Sequence, residues 1–396
     1  MVITSVDVFA LKHRGKHQGS LRAIICRVNT SDGVYGYGEC GLSYGNGAMA
    51  GFHMIKELAP LIIGQDPMRN EYLWERMFKD TFWGQAGGAI FYAAMSAIDM
   101  ALFDIKGKVL NVPAYQLLGG KYRDELRAYA SQLQLGWPDD NADGFDLPYT
   151  PEEFAKAARL AVDDGYDAIK IDFLSLSRNP MDGKVPLGIM SPKDIQLIAD
   201  RVKAVREEVG PYVEIILENH SKTDAISATK IGQAVEKYDI MYYEEVCTPL
   251  YPPVMTNVAR KVNIPIANGE RLFTRWGYLP FLENDSIQVI QPDICLCGGM
   301  TEAKKICDLA HIFDATVQVH VCGSPITLAA SLHLEAAIPN FCIHEHHVIN
   351  KVMYNRELGK YDYAPVNGKF TVPELPGIGQ ELSDYAIKNA YCETVK

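Results

Sequence analysis

Three glutamates recur at one interval along the chain, and each follows a short run of apolar, strand-forming residues. They are Glu218, Glu244 and Glu270, and their separations are equal because 244 − 218 = 26 and 270 − 244 = 26. One strand, one helix and two loops use about that many residues in a βα barrel, a fold of ~250 residues. Because the strands of such a barrel all end at one rim, the spacing predicts that three carboxylates meet there.

Carboxylates that face one point repel one another, and burial makes it still harder to keep them ionised. A hard divalent cation removes that repulsion, and an all-oxygen ligand set without His or Cys favours Mg²⁺ or Mn²⁺ over zinc. A single glutamate at a strand end is usually a surface charge, but three at one interval are poorly explained that way. We therefore predict Mg²⁺ as the cofactor, with Mn²⁺ as a substitute, bound by Glu218, Glu244 and Glu270.

Size and composition limit the kinds of protein that this chain can be. Its 396 residues exceed one barrel of ~250 residues and leave room for a second domain. A hydrophobic content of 48% with 22% charged residues is typical of a soluble globular protein. The formal net charge of −11 argues against nucleic-acid binding, which needs clustered Lys and Arg.

The sequence also predicts where the protein works. The first residues lack the basic and apolar regions of a signal peptide, and no run approaches the roughly 18 apolar residues of a membrane helix. We therefore expect a cytoplasmic protein with no membrane partner. The nine cysteines are odd in number and irregularly spaced, which suits reduced thiols better than a disulfide framework. Gly298-Gly299 lacks the dinucleotide fingerprint, so NAD is not expected.

A βα rhythm begins near residue 126 and stops after about residue 350. Eight strand-like runs mark it, at residues 126–130, 168–173, 213–217, 240–243, 264–267, 287–290, 316–319 and 341–343. The part before it mixes strand-like runs with two helical patterns, which begin at about residues 51 and 89. This order of elements predicts an α/β fold with an eight-unit barrel and a second, mixed part.

Two histidines are the candidate acid and base groups. Asp293 ends the sixth strand-like run, and His320 ends the seventh, since 320 − 293 = 27. An aspartate bonded to an imidazole fixes its tautomer and raises its basicity, so His320 can accept a proton near neutral pH. His220 lies two residues beyond Glu218, where strand alternation returns it to the ligand side, and it could protonate a leaving hydroxyl. The alternative for His220 is a histidine that only binds loop carbonyls.

The second strand-like run supplies candidate substrate-binding residues. If Ile171 packs outward, strand alternation turns both Lys170 and Asp172 inward, where they could hold a carboxylate and a hydroxyl. Arg271, directly after Glu270, is a further candidate partner for a carboxylate or hydroxyl of the substrate.

Several motifs resemble those of the enolase superfamily, and especially the acid-sugar dehydratases of its mandelate racemase subgroup, galactonate dehydratases among them. The motifs are Leu217-Glu218-Asn219-His220, Tyr243-Glu244-Glu245, Asn268-Gly269-Glu270-Arg271-Leu272, the helix at residues 96–108 and Leu117-Leu118-Gly119-Gly120. The likeness runs along nearly the whole chain. One departure is Glu218, because those relatives usually carry aspartate there, and the extra methylene moves the carboxylate by about a bond length.

The resemblance implies a modified (β/α)8-type TIM barrel with an α+β capping domain formed by both ends of the chain. The implied division is residues 1–123 for the N-terminal capping domain, 124–355 for the catalytic barrel and 356–396 for a C-terminal segment that returns to the cap. The resemblance also implies that two loops, residues 13–21 and 41–51, close over the barrel mouth and select the distal end of the substrate. Trp83 is a further candidate for that wall.

For the chemistry, the resemblance implies that His320, supported by Asp293, removes the proton on C2 of the substrate. Glu345 matches the position of an acid that donates a hydrogen bond to the substrate carboxylate as it becomes an enolate. Burial beside other negative groups should keep Glu345 protonated for that purpose. Racemases of the family carry a second lysine where this chain has Asp172, so racemisation is disfavoured.

These observations together predict a Mg²⁺-dependent dehydratase of an aldonate-type sugar acid. It would abstract the C2 proton and eliminate the 3-hydroxyl to give a 2-keto-3-deoxy acid. One alternative is a racemase, epimerase or cycloisomerase on the same scaffold, and another is a catalytically retired binding or regulatory protein. The expected partner is a small-molecule sugar acid, and we expect a homo-oligomer.

Overall fold

The computed structural model of the protein describes residues 1–12, 22–142, 145–176 and 188–396. The strands are β1 (Ile3–Ala10), β2 (Ile24–Thr30), β3 (Tyr35–Cys40), β4 (Glu125–Ser131), β5 (Ala168–Asp172), β6 (Glu214–Glu218), β7 (Ile240–Glu244), β8 (Ile266–Asn268), β9 (Val289–Ile290), β10 (Thr316–Val317), β11 (His344–His347), β12 (Lys369–Thr371) and β13 (Tyr391–Val395).

The α-helices alternate with the strands of the barrel and also cover the smaller sheet. They are α1 (Ala48–Ile62), α2 (Asn70–Asp80), α3 (Ala89–Leu110), α4 (Ala114–Leu117), α5 (Pro151–Asp163), α6 (Pro192–Val209), α7 (Ala225–Val235), α8 (Pro252–Ala259), α9 (Thr274–Glu283), α10 (Gly299–Ile312), α11 (Pro325–Ala337), α12 (Val348–Lys351), α13 (Met353–Arg356) and α14 (Asp384–Asn389).

The smaller sheet is antiparallel, with the strand order β13-β1-β2-β3, so the two ends of the chain lie side by side. α3 packs closely on β3 because Gly36 and Gly38 have no side chains there. A Cβ on Gly38 would lie only 2.0 Å from the carbonyl oxygen of Ala97. α3 is therefore buried on almost every side, between this sheet and α10.

The larger sheet is parallel, with the strand order β10-β9-β8-β7-β6-β5-β4-β11. The chain thus fills neighbouring positions from β4 to β10, and the last strand, β11, lies beside the first. A bridge between Val317 and Phe341 joins β10 to the segment that leads into β11 and closes the curve. The parallel sheet with its helices, together with the antiparallel capping sheet, confirms the predicted fold class.

Local sequence explains why the helices begin where they do. Thr150 and Glu153 form a capping box at the start of α5, and Ser191 and Asp224 cap α6 and α7 through their side chains. Inside the barrel, a buried cluster that includes Tyr129, Tyr242 and Ile343 fills the interior, so the barrel is a packed core and not a pore.

The predicted position of the eighth strand, residues 341–343, is wrong, because pairing with β4 begins only at His344. The apolar run favoured the earlier position, but polar residues of β11 are buried as well. His344 contacts Glu335, and His346 contacts Tyr166. A strand whose polar side chains find buried partners cannot be identified from apolar residues alone.

Of the two loops predicted to cover the barrel mouth, only the second belongs to the described residues. Residues 13–21 lie outside the described residues. Residues 41–51 are described, and their last part belongs to α1, which begins at Ala48, slightly before its predicted start.

Over the described ranges, no helix is both long and apolar enough to cross a membrane.

Candidate active site

The acidic residues predicted on successive strands lie side by side at the carboxyl ends of those strands. Parallel pairing places Asp172 opposite Glu218, and Glu218 opposite Glu244. Glu270 follows the end of β8 by two residues. Asp172, Glu218 and Glu244 are buried, and Glu270 is mostly so. The equal spacing in the sequence thus corresponds to neighbouring positions on one rim.

A buried lysine lies among these carboxylates. Nζ of Lys170 is 2.7 Å from Oε1 of Glu244, 2.9 Å from Oε1 of Glu345 and 3.3 Å from Oε2 of Glu218. Burial alone would lower the pKa of Lys170, but the three carboxylates, Glu244 foremost, raise it well above its ordinary value. Lys170 therefore places a positive charge among these carboxylates and offsets part of their repulsion.

The expectation that Glu345 is protonated is wrong. Burial would raise the pKa of Glu345, but Lys170 and His320 outweigh burial and lower it below its ordinary range. Its carboxylate accepts hydrogen bonds from Oγ of Ser131 at 2.5 Å and from the backbone N–H of Val321 at 3.0 Å. Glu345 is therefore an ionised acceptor, because the buried lysine beside it counts for more than the neighbouring negative groups.

The predicted metal ligands match a hard cation in their chemistry, although one of them is turned aside. Oε2 of Glu244 is buried and makes no hydrogen bond, which is the state of a carboxylate oxygen that can take a cation. Oε2 of Glu218 is buried as well and lies 3.3 Å from the ammonium of Lys170. Burial and the adjacent Glu218 raise the pKa of Glu244 well above its ordinary value. Glu270 instead contacts Arg271 and His320. Accordingly, no three His, Cys, Asp or Glu side chains of the described ranges form a complete ligand set.

His320 and Asp293 form the contact that the sequence predicts. Nδ1 of His320 lies 2.7 Å from Oδ2 of Asp293, which leaves Nε2 for another partner. That partner is Oε2 of Glu270, at 3.1 Å. Burial would lower the pKa of His320, but Glu270 and Asp293 raise it well above its ordinary value. A base must be neutral, so Glu270 has to release Nε2 before His320 can accept a proton.

A second histidine and aspartate pair lies at the same rim. Nδ1 of His220 is 2.8 Å from Oδ2 of Asp172, and Nζ of Lys222 is 2.6 Å from the same oxygen. His220 has a φ of +46°, so a left-handed turn beyond β6, rather than strand alternation, brings its ring there. Burial would lower the pKa of His220, but Glu218 and Asp172 raise it, which favours the protonated form that an acid needs.

Both oxygens of Asp172 are engaged by the protein, since Oδ1 accepts the backbone N–H of Leu174 at 2.8 Å. The guanidinium of Arg271 is engaged in the same way, at 2.9 Å from Oε1 of Glu270 and 2.9 Å from Oε2 of Glu245. These two predicted substrate-binding residues therefore hold other members of the site in place.

Trp83 lies apart from this cluster of contacts. It is 73% exposed and packs edge-on against Phe82, at the end of α2. Its place in a substrate wall stays a prediction. The cap does reach the barrel mouth at residues 41–47, where the N–H of Gly41 donates to the carbonyl of Cys295 at 3.0 Å.

Three polar residues of the site are absent from the sequence prediction. They are Ser131, which binds Glu345, Lys222, which binds Asp172, and Glu245, which binds Arg271. A signal was available for two of them, because Ser131 ends the first barrel strand and Glu245 directly follows a predicted ligand. For Lys222 the sequence offers only a polar turn after His220.

Two family models match the chain, one over most of its first third and one over most of the rest. The mandelate racemase / muconate lactonizing enzyme N-terminal domain matches residues 11–119, and the enolase C-terminal domain-like model matches residues 153–386. The chain belongs to the enolase superfamily. This confirms the resemblance to its mandelate racemase subgroup that the motifs around the glutamates carry.

The similarity to known proteins covers nearly the whole chain. A D-xylonate dehydratase from Haloferax volcanii is 33% identical over 372 residues, 93% of this chain and 85% of the relative. The crystal structure of an enolase superfamily member from Salmonella Typhimurium is 52% identical, with a TM-score of 0.95 and 100% of both chains covered. That of a proposed dehydratase from Zymomonas mobilis ZM4 is 47% identical, with a TM-score of 0.96 over 100% of this chain and 99% of the other. The protein is accordingly an enzyme, a hydro-lyase.

Proposed function

We propose that this enzyme is a Mg²⁺-dependent dehydratase of an aldonate-type sugar acid. The observation that carries the proposal is the presence of two histidine–aspartate contacts, His320–Asp293 at 2.7 Å and His220–Asp172 at 2.8 Å, beside a cluster of glutamates. Dehydration of a 2,3-dihydroxy acid needs one group to remove the C2 proton and another to protonate the 3-hydroxyl. The D-xylonate dehydratase relative supports the substrate class.

Glu218, Glu244 and Glu270 would hold the divalent ion, Mg²⁺ or its substitute Mn²⁺. When bound, the ion supplies positive charge that stabilises the negative charge developing on the substrate carboxylate as C2 loses its proton. The unpartnered Oε2 of Glu244, with the carboxylate of Glu218 on the neighbouring strand, supports this assignment. Arg271, 2.9 Å from Glu270, fixes the position of the third carboxylate.

In the first step Glu270 releases Nε2 of His320, and that nitrogen then takes the C2 proton. Asp293 accepts the hydrogen bond from Nδ1 and so keeps the free electron pair on the other ring nitrogen, and its charge stabilises the imidazolium that forms. The electron pair of the broken C–H bond moves between C2 and C1, which gives the enediolate form of the carboxylate.

In the second step His220 gives a proton to the 3-hydroxyl, the C3–O bond breaks and water leaves. The electron pair held between C1 and C2 moves to form the C2–C3 double bond of an enol. That enol takes up a solvent proton at C3 and becomes the 2-keto-3-deoxy acid. Asp172 holds Nδ1 of His220, so Nε2 is the nitrogen that faces the leaving group.

Lys170 and Glu345 have supporting roles in this proposal. Lys170 places a fixed positive charge beside the substrate carboxylate. Glu345, as an ionised acceptor, holds both Lys170 and the N–H of Val321, the residue that follows His320. It thus links the charge that attracts the carboxylate to the segment that carries the base. Trp83 and the cap loops would contact the distal end of the sugar.

An epimerase or racemase is a second candidate, because two imidazoles at one rim could also exchange the C2 proton from two sides. One observation favours it, since His220 has its own aspartate partner, as His320 has. Dehydration stays the first candidate, because Asp172 stands where racemases of the family carry a second lysine, and the D-xylonate dehydratase relative supports loss of water.

A screen of sugar acids for 2-keto acid products tests the proposal. With Mg²⁺ we expect at least one aldonate to give a product that reacts with semicarbazide. EDTA should remove the activity, and added Mg²⁺ or Mn²⁺ should restore it. Turnover that persists without metal would contradict the proposal. A wholly inert library, together with no Mg²⁺ binding by calorimetry, would indicate a retired binding protein instead.

A further inference from the structure

Two buried carboxylates of the cap reach into the barrel, to the segments that carry the proposed base and its partner. Asp99 belongs to α3, and its two oxygens accept hydrogen bonds from the backbone N–H of Thr301 at 2.9 Å and from its Oγ1 at 2.6 Å. Glu39 belongs to β3 and accepts from the N–H and Oγ of Ser324, at 3.0 Å and 2.6 Å, and from the N–H of Thr327 at 3.2 Å. The side chains of Asp99 and Glu39 are fully buried.

Asp99 secures the segment that begins at Asp293. That segment ends at α10, whose preceding residue, Gly298, offers no side chain to cap the helix. Asp99 supplies the missing acceptor from the cap. The cap also holds Gly298 itself, since Oγ of Ser96 accepts its N–H at 2.9 Å and Nε1 of Trp74 donates to its carbonyl at 2.8 Å. Cap residues of α2 and α3 therefore help to fix the far end of the turn after Asp293, together with Thr274 of α9, whose N–H donates to the carbonyl of Cys297 at 3.0 Å.

Glu39 secures the segment that follows His320. It binds the first turn of α11, and a Cβ on Gly323 would lie 2.6 Å from its carboxylate, so the backbone approaches it closely. The two segments are also joined to each other, because Sγ of Cys295 lies 2.9 Å from Oγ1 of Thr327. The residues that hold His320 and Asp293 in their mutual geometry thus include residues of the cap.

We propose that Asp99 and Glu39 are positioning residues for the His320–Asp293 pair, acting through the backbone at the starts of α10 and α11. The kinetic part of this inference rests on the proposed function. The simpler interpretation is that the two carboxylates only fasten the cap to the barrel. The chain contains a control that separates these interpretations.

Asp104 is that control. It lies on the same helix as Asp99 and is equally buried. It accepts hydrogen bonds from the N–H groups of Tyr37 and Ile378, both at 3.0 Å, and from Nζ of Lys108 at 2.8 Å. These partners belong to the cap and the C-terminal segment, not to the segments after β9 and β10. Asp104→Asn should therefore reduce stability without disturbing the base.

The first measurement is steady-state kinetics beside thermal melting. A misplacement of catalytic groups by about 1 Å can cost about 100-fold in rate, and a smaller one costs less. Asp99→Asn and Glu39→Gln should therefore lower kcat by roughly 10- to 100-fold with little change in KM. Asp104→Asn should lower the melting temperature comparably and leave kcat close to wild type. If Asp99→Asn does not fold, Thr301→Val removes only the hydroxyl bond and should give a smaller loss of kcat, while Thr301→Ser should restore it.

The second measurement needs no substrate, so it separates this inference from the proposed function. The proton on Nδ1 of His320, bound to Asp293, should give a downfield NMR resonance that disappears in His320→Asn. We expect Asp99→Asn and Glu39→Gln to shift or broaden it, and Asp104→Asn to leave it unchanged. If all three variants leave that resonance unchanged, or if Asp104→Asn alters it and kcat as the other two do, the carboxylates merely fasten the cap and the inference is wrong.

Discussion

Replacing His320 with asparagine should abolish both exchange of the C2 proton with solvent and dehydration of the substrate. Asparagine has about the size of the ring but cannot take a proton at the position of Nε2. Because proton removal is the first chemical step, nothing after it can proceed. General base catalysis typically contributes ~10²- to 10⁴-fold, and both activities should fall by at least that factor. NMR in D₂O follows exchange and dehydration in one sample.

Two companion variants show whether the effect belongs to the base. Asp293→Asn should reproduce most of the loss, because Nδ1 of His320 loses its charged acceptor at 2.7 Å. His311→Asn changes an exposed histidine in the last turn of α10 and should leave both activities intact. Substantial C2 exchange in His320→Asn would mean that another group is the base.

Replacing His220 with asparagine should separate the two activities. The variant loses the acid that protonates the 3-hydroxyl, but His320 can still remove the C2 proton. The enediolate then recaptures a deuteron from solvent and returns as labelled substrate. Since general acid help is worth ~10²- to 10⁴-fold, dehydration should fall by about that factor while exchange persists. Asp172→Asn should likewise lower dehydration more than exchange, because Asp172 holds Nδ1 of His220.

The contrary outcome for His220→Asn is equally informative. Equal loss of both activities, with the metal still bound, would mean that His220 positions the substrate or is itself the base. The assignment of the two histidines would then reverse. The α-proton of the true substrate would lie on the opposite face, with the other configuration at C2.

The sequence predicts the positions of strand ends better than the contacts made there. Equal spacing identifies Glu218 and Glu244 as neighbours because a βα unit of constant length advances the chain by one strand. The same reasoning places Asp293 and His320 in contact. It fails for the eighth strand, where buried polar residues replace the apolar run on which such a prediction depends.

Charge balance within the site is the part that the sequence could not supply. The alternation of β5 predicts that Lys170 points inward, but not that its ammonium lies among three carboxylates and lowers the pKa of Glu345. The spacing likewise cannot predict that Glu270 turns toward His320. Such choices depend on side-chain torsions and on partners that lie far apart in sequence.

The proposed dehydration is tested most directly by the position of deuterium in the product that the wild-type enzyme forms in D₂O. In the proposed reaction C2 loses its hydrogen and becomes a ketone carbon, the 3-hydroxyl is lost, and C3 takes up one deuterium from solvent. Proton and carbon NMR of the isolated product read all three features. An epimer that carries deuterium at C2 and keeps its 3-hydroxyl, with no 2-keto acid formed, would contradict dehydration and establish the enzyme as a racemase or epimerase.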